Sequence, residues 1–270
     1  IVFTSGGTEA NNLAIRGVCT AYPRGRHIVR SEVEHPAVIA PFEALRATGF
    51  IVDVAEVDND CRVKLPELTA LLRPDTTLIS VMHANNEVGT IQPVGAIARA
   101  ARAVGAFTHT DAAQTVGKID VDVDSLGVDL LTIAGHKLYA PKGVGALYVR
   151  PGTPLVPVLL GAEHEGGRRP GTENVAGIVA LGEAAALAYE SLAEAAEHES
   201  AMRDRLQDCL AAGIPGLFVC GRDAERTPNT LLVCLPGTTG AEVLASAEIV
   251  AASTGSACNA GSWEPSATVL

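Results

Sequence analysis

Short runs of β-branched and aliphatic residues recur along this chain, separated by stretches in which apolar positions return every three or four residues. The runs predict strands over residues 1–4, 27–30, 50–54, 77–81, 106–108, 130–133 and 146–149. The periodic stretches predict helices over 11–20, 36–48, 65–72 and 93–104, with Pro36 and Pro93 near two helix starts, where a missing N–H costs nothing. Strand–helix alternation of this kind builds an α/β sheet from βαβ units. Residues 175–212 are rich in Ala and Glu and almost free of breakers, which predicts one long helix or two abutting ones, ended by Gly213-Ile214-Pro215-Gly216. Strands near 217–220, 230–235 and 249–252 and a helix near 241–247 follow. The expected organisation is a large α/β domain over 1–185 and part of a smaller α+β domain over 186–270.

Composition narrows the class. The 270 residues are 47% hydrophobic and 19% charged, as expected of a globular chain with a large core. A net charge of −11 argues against nucleic acid or an anionic membrane as principal partner. No uninterrupted apolar run reaches the ~20 residues of a membrane span. The six cysteines include no CxxC pair and no Cys/His cluster at zinc spacing, so no metal is expected. A chain of this length hardly needs disulfides, which points to a reducing, cytoplasmic setting. The chain opens on Ile1 inside a strand-like run and stops at Leu270 without a terminating pattern, so it is expected to be an internal piece of a longer protein.

Chemistry concentrates in a few segments. Lys137 sits in Thr132-Ile133-Ala134-Gly135-His136-Lys137, and Asp111 in His109-Thr110-Asp111-Ala112-Ala113-Gln114, each just past a predicted buried strand. Strand ends of an α/β sheet open onto the ligand crevice. An amine, a carboxylate and an imidazole there suit a cofactor with an aldehyde and a basic ring nitrogen, such as pyridoxal phosphate. A surface Lys–Asp pair is the plainer alternative. Thr4-Ser5-Gly6-Gly7-Thr8-Glu9 reads as strand, glycine turn and helix start, which is either an anion site or simple capping. His35, in Ser31-Glu32-Val33-Glu34-His35-Pro36, can stack on a planar ring or serve only the helix entry. Asn85 and Asn86 can orient ring oxygens or hold a tight turn. Arg168-Arg169-Pro170-Gly171-Thr172 suits an anion or a capped helix with surface arginines. Cys258 lies among small residues, Ser256-Ala257-Cys258-Asn259-Ala260-Gly261, as an accessible thiol would. Cys209, Cys220 and Cys234 lie in apolar runs and are expected to be inert.

In this order, from Ser5-Gly6-Gly7-Thr8-Glu9 to Ser256-Ala257-Cys258 and Glu264-Pro265-Ser266, the segments resemble the cysteine desulfurases of the class V aminotransferase family. The resemblance implies the aspartate-aminotransferase-like fold (fold type I), with a large, mostly parallel domain and a truncated small domain. It implies pyridoxal phosphate carried on Lys137, with Asp111 against the pyridine nitrogen and His35 stacked on the ring. Gln114 and Asn86 would lie near the ring hydroxyl, and Gly7, Thr8 and His136 would hold the phosphate. Thr172 would reach the phosphate of a neighbouring subunit, which implies a homodimer. L-Cysteine would become L-alanine, with Lys137 removing the Cα proton. Cys258 as thiolate would take the sulfur as a persulfide and pass it to an acceptor, such as an iron–sulfur scaffold or a tRNA-thiolation protein.

Three departures qualify the resemblance. Ala134 replaces a serine common in relatives and removes one phosphate hydroxyl, a change shared with selenocysteine lyases. Gly166 stands where an arginine is common. The arginine that clamps the substrate carboxylate would lie beyond Leu270, so the 270-residue piece alone is expected to have little activity. Selenocysteine lyase, or another class V enzyme that needs no mobile cysteine, is the alternative.

Overall fold

Seven strands build one sheet, in the computed structural model that describes residues 1–21, 24–247 and 249–255. They are β1 (Val2–Thr4), β2 (His27–Ser31), β3 (Ile51–Ala55), β4 (Thr76–Ser80), β5 (Phe107–Asp111), β6 (Leu130–Ala134) and β7 (Gly145–Val149). Their spatial order is β1-β7-β6-β5-β4-β2-β3. The run β3-β2-β4-β5-β6 is parallel, and β7 pairs antiparallel with both β6 and β1. Two reversals return β1 to the direction of the parallel strands. The carboxyl ends of β1, β2, β4, β5 and β6 therefore open on the same edge, where α/β sheets bind ligands.

Helices cover both faces. Ile28 and Leu78 pack with Leu13 and Ile15 of α1 (Gly7–Ala21) and Phe42 of α2 (Pro36–Ala47). Their chain neighbours Val29 and Ile79 pack on the other side, with Leu68 of α3 (Leu65–Leu71) and Ile97 of α4 (Val94–Val104). The side-chain period of two delivers alternate residues to opposite faces, and both are buried, so the centres of these strands are apolar on consecutive positions rather than alternating.

Polar residues account for two differences from expectation. β5 runs on through His109, Thr110 and Asp111, all buried, where a strand over 106–108 was expected. The side chains are bonded internally: Thr110 Oγ1 donates to the Val81 carbonyl at 2.7 Å, and His109 lies between Ser80 and Thr132. Polar groups so satisfied do not end a strand. α1 begins at Gly7, not at residue 11, because Glu9 folds back to accept the Ser5 N–H at 2.7 Å and completes the first turn. A further short helix, α5 (Val123–Leu126), starts where Asp122 accepts the Ser125 N–H at 2.6 Å.

Beyond the sheet, α6 (Val175–Gly213) is a single helix of 39 residues, begun by Asn174 accepting the Gly177 N–H at 3.1 Å. The boundary at 185/186 falls inside it, at no break in the helix. By length and composition α6 could cross a membrane, and only 11% of its most apolar 18-residue window is buried. β8 (Phe218–Val219) and β9 (Val233–Cys234) form a small antiparallel pair. α7 (Gly240–Ser246) is closed by a capping box between Thr239 and Glu242. No strand forms over 249–252: Ile249 is exposed, and without a pairing edge an apolar run does not make a strand.

One close approach positions the first turn of the site. A Cβ added at Gly145 would lie 2.7 Å from both Gly6 Cα and the Ile133 carbonyl oxygen. Glycine in a strand ordinarily weakens it relative to alanine. Here the sign reverses: Gly145→Ala is expected to destabilise by about 1–3 kcal/mol through overpacking. Urea denaturation measures it, and a neutral or stabilising result would contradict the packing of β1 on β7.

Candidate active site

A cavity of about 530 Å³ lies at the carboxyl ends of the strands. Each contributing strand delivers its residues at its carboxyl end or in the segment that follows it. β1 leads into Gly7 and Thr8, β2 into His35, β4 into Asn86, β5 ends on Asp111 with Gln114 following, and β6 leads into His136 and Lys137. All eight line the cavity, so the register of one sheet gathers residues more than a hundred positions apart.

At the first corner, the helix start leaves the N–H groups of its first turn without carbonyl partners inside the helix. A Cβ on Gly7 would meet Ala134 Cβ at 3.1 Å, so glycine lets the start of α1 press against the end of β6. Ala134 keeps that contact apolar. His35 is the N-cap of α2, and its Nδ1 accepts the Ala37 N–H at 3.0 Å. The neutral ring then carries its proton on Nε2. The capping role and the cavity position are thus both fulfilled by one imidazole.

The adjacent amides divide the work. Asn85 is buried and holds the turn, its Oδ1 accepting the N–H groups of Glu87 and Val88, each at 2.9 Å. Asn86 lines the cavity. Asp111 is nearly buried, its Oδ2 taking the Asn11 amide at 2.6 Å and its Oδ1 the Ala113 N–H at 2.9 Å. Charge-assisted hydrogen bonds of this kind fix a carboxylate in one orientation. Lys137 sits in a 3₁₀ turn (Gly135–Leu138) and is exposed, so its amine is accessible from the cavity. The pKa of the neighbouring His136 is lowered, by partial burial first and then by the charges of Lys137 and Lys142.

Two expected residues stand apart. Thr172 lines a separate cavity of about 130 Å³ with Phe3 and Glu165 rather than joining the others. Cys258 lies outside the described residues; Gly255, three positions earlier, lines the main cavity. Arg169 is committed to Glu9, with Nε 2.7 Å from Oε1 and Nη2 3.2 Å from Oε2, and is no free anion site. Burial pushes the Glu9 carboxyl upward, but the bonds from Arg169 and Ser5 outweigh it and leave its pKa below the ordinary value.

Burial moves the Cys19 and Cys220 thiols up to about 12 and Cys61 up to about 11, so these three are poor nucleophiles at neutral pH. Cys209 differs from its apolar sequence context in being exposed on α6, because so little of that helix is covered.

Two participants were not singled out by sequence: Asn11 and Glu34. Asn11 is a polar residue on the apolar face of α1, between Ala10 and Leu13, and that misplaced polarity is the signal that marks it. Glu34 is a buried acid whose Oε1 accepts from Ser31 and from the Met82 N–H at 2.8 Å.

The Aminotransferase class-V family profile matches residues 1–270. Cysteine desulfurase IscS of Dictyoglomus turgidum is 45% identical over 269 residues, covering 98% of this chain and 68% of the relative. Among solved structures, a NifS-like protein superposes with a TM-score of 0.86 at 39% identity, covering 91% of this chain and 69% of that one. SspA in complex with cysteine gives 0.81 at 34% identity, covering 99% and 75%.

The sheet beneath the cavity is sensitive to acid. Burial pushes the His109 ring down to about 3 and the His83 ring down to about 4, below the 6.5 of an unperturbed imidazole. Unfolded chains therefore take up protons first as pH falls, and stability declines from about pH 6.5 toward 4, by about 1.4 kcal/mol per pH unit for each ring. His109→Gln is expected to flatten that slope in denaturation midpoints measured across the range. An unchanged slope would contradict the neutral, buried ring.

Proposed function

The chain belongs to the class V aminotransferase family, and on that premise we propose that it is a pyridoxal-phosphate-dependent cysteine desulfurase, converting L-cysteine to L-alanine with sulfur transfer to Cys258. The observation that carries the reading is the single cavity shared by Lys137, Asp111 and His35. The donor set fits the cofactor. Lys137 offers an amine for the aldehyde, Asp111 an oriented carboxylate for the ring nitrogen, and His35 a ring face. Asn86 and Gln114 offer amides beside the ring hydroxyl, and Thr8, His136 and the backbone at Gly7 supply hydrogen-bonding groups for the phosphate. Asn11 Oδ1 is buried without a partner among the described residues, a cost the fold bears while its amide nitrogen holds Asp111.

When bound, pyridoxal phosphate supplies the electron sink that acidifies the Cα–H of an attached amino acid. The chain's residues do the rest. Asp111 would pair with the ring nitrogen's positive charge, its orientation held by the bonds to both of its oxygens. Lys137 Nζ takes the Cα proton of the substrate. His35, fixed by its cap bond, would hold the ring plane from the cavity wall. Cys258 Sγ, as thiolate, attacks the substrate sulfur: a S–S bond forms, the Cβ–S bond breaks, and the electron pair left on carbon is protonated to give alanine.

A homodimer is part of the proposal. Thr172 lies outside the main cavity of its own chain, and exposed apolar side chains flank it in sequence at Leu159, Leu160, Val175 and Val179. A partner covering them would bring Thr172 to the neighbouring site.

The test uses the intact protein loaded with pyridoxal phosphate and supplied with L-cysteine and a reductant. Lys137→Ala is expected to lower alanine formation by about 10²–10⁴-fold. Cys258→Ala is expected to abolish persulfide and alanine formation together. Alanine production unchanged in Cys258→Ala would contradict the sulfur-transfer role and favour a class V enzyme that needs no cysteine.

A further inference from the structure

Glu34 belongs to the wall of the cavity without lining it. Its carboxyl is buried, and Oε1 accepts two hydrogen bonds, from the Ser31 hydroxyl at the end of β2 and from the Met82 N–H just beyond β4. Its chain neighbour His35 and its bonded neighbour Met82 both line the cavity. Oε2 is also buried and meets no partner among the described residues. Of the charges near this buried acid, Asp111 is like and Arg30 opposite, and neither is hydrogen-bonded to it, which disfavours ionisation.

We propose that Glu34 is a positioning residue for the cofactor pocket: its carboxyl bridges the ends of β2 and β4 and so sets His35 and Met82 against the ligand ring. The proposal rests on pyridoxal phosphate being the ligand. Geometry makes the bridge specific. A side chain there must accept twice on one oxygen, and it must do so beside Asp111 without adding a second negative charge to the floor of the pocket. A neutral carboxylic acid meets both conditions. Burial pushes the Glu34 carboxyl up to about 8; the bonds from Ser31 and Met82 pull it back, the Asp111 charge adds to the rise, and Arg30 opposes it. Arg30 is engaged in part, with Nη1 donating to the Ser31 carbonyl and Nη2 at 3.6 Å from Glu43, while its buried Nε has no partner among the described residues. Asp111 thereby remains the negative charge available to a ring nitrogen.

The neutral state has a sign that is independent of the cofactor. The folded carboxyl titrates above the unfolded value of 4.5, so the stability that Glu34 itself contributes is fully present below about pH 4.5 and is lost as pH rises toward 8. Glu34→Gln, neutral at every pH, is therefore expected to gain stability relative to the wild type across that window in the cofactor-free protein. Parallel stability–pH curves would overturn the neutral carboxyl.

The pocket role is read from pyridoxal phosphate affinity and from the visible absorption band of the bound cofactor. Glu34→Gln keeps the accepting oxygen, and is expected to bind within about threefold of wild type with the same band and the same pH titration of that band. Glu34→Leu keeps the volume but loses both bonds, and is expected to bind at least about tenfold more weakly with a shifted band. A residue that serves stability alone would move the melting temperature and leave the band in place. Should Glu34→Leu fail to fold, Ser31→Ala removes one donor and is expected to weaken binding by about two- to fivefold. Unchanged affinity and band in Glu34→Leu, or in Ser31→Ala where that variant decides, would overturn the bridge. Equal damage in Glu34→Gln and Glu34→Leu would overturn it too, by showing that a negative charge is needed. A wild-type protein that takes up no pyridoxal phosphate would overturn the pocket role together with the cofactor reading, whereas wild-type uptake with an indifferent Glu34→Leu sinks the Glu34 role alone.

Discussion

A carboxylate taken out of water must be given donors or it will not stay charged, and Asp111 is given two, from different parts of the chain. The Asn11 amide reaches it from α1 at 2.6 Å, and the Ala113 N–H reaches it from its own turn at 2.9 Å. The first bond joins residues 100 positions apart and ties the helix that follows β1 to the end of β5. Because α1 must approach this closely, its first residue is glycine and its contact with β6 is made by the small Ala134. Lys137 follows three residues after that contact. The amine and the carboxylate are therefore placed relative to each other by one packed corner rather than by any direct contact between them.

Beneath that corner a band of buried polar groups crosses the sheet. Ser80, His109 and Thr132 join β4, β5 and β6 at 2.8 and 3.1 Å. Thr115 meets His83 at 2.9 Å in the turns beyond. Such a network is rigid when each member is satisfied and costly when one is not. It supports a site that must hold its geometry, while the apolar layers on both faces of the sheet carry the stability.

Much of the sheet was readable in advance because both its faces are buried. Pairs such as Ile28-Val29 and Leu78-Ile79 are apolar on consecutive positions, which marks central strands. Eight of the nine expected cofactor residues meet in one cavity because each ends a strand or lies in the segment that follows its carboxyl end. What stayed hidden depends on contacts distant in sequence. The extension of β5 to Asp111 rests on partners in β4 and β6, and the start of α1 at Gly7 on a side chain folding back. Asn11 and Glu34 each looked like an ordinary polar residue until burial showed what they hold. Thr172, which the resemblance places beside a neighbouring subunit's site, lines a separate cavity of its own chain.

The central claim is that the Lys137 amine is the attachment point of an aldehyde cofactor whose ring nitrogen faces Asp111. The direct measurement is borohydride reduction of the protein loaded with pyridoxal phosphate, followed by digestion and mass mapping of the lysine peptides. The account predicts one reduced phosphopyridoxyl group, on Lys137. A label on a different lysine, or none on a protein that has bound the cofactor, would contradict it.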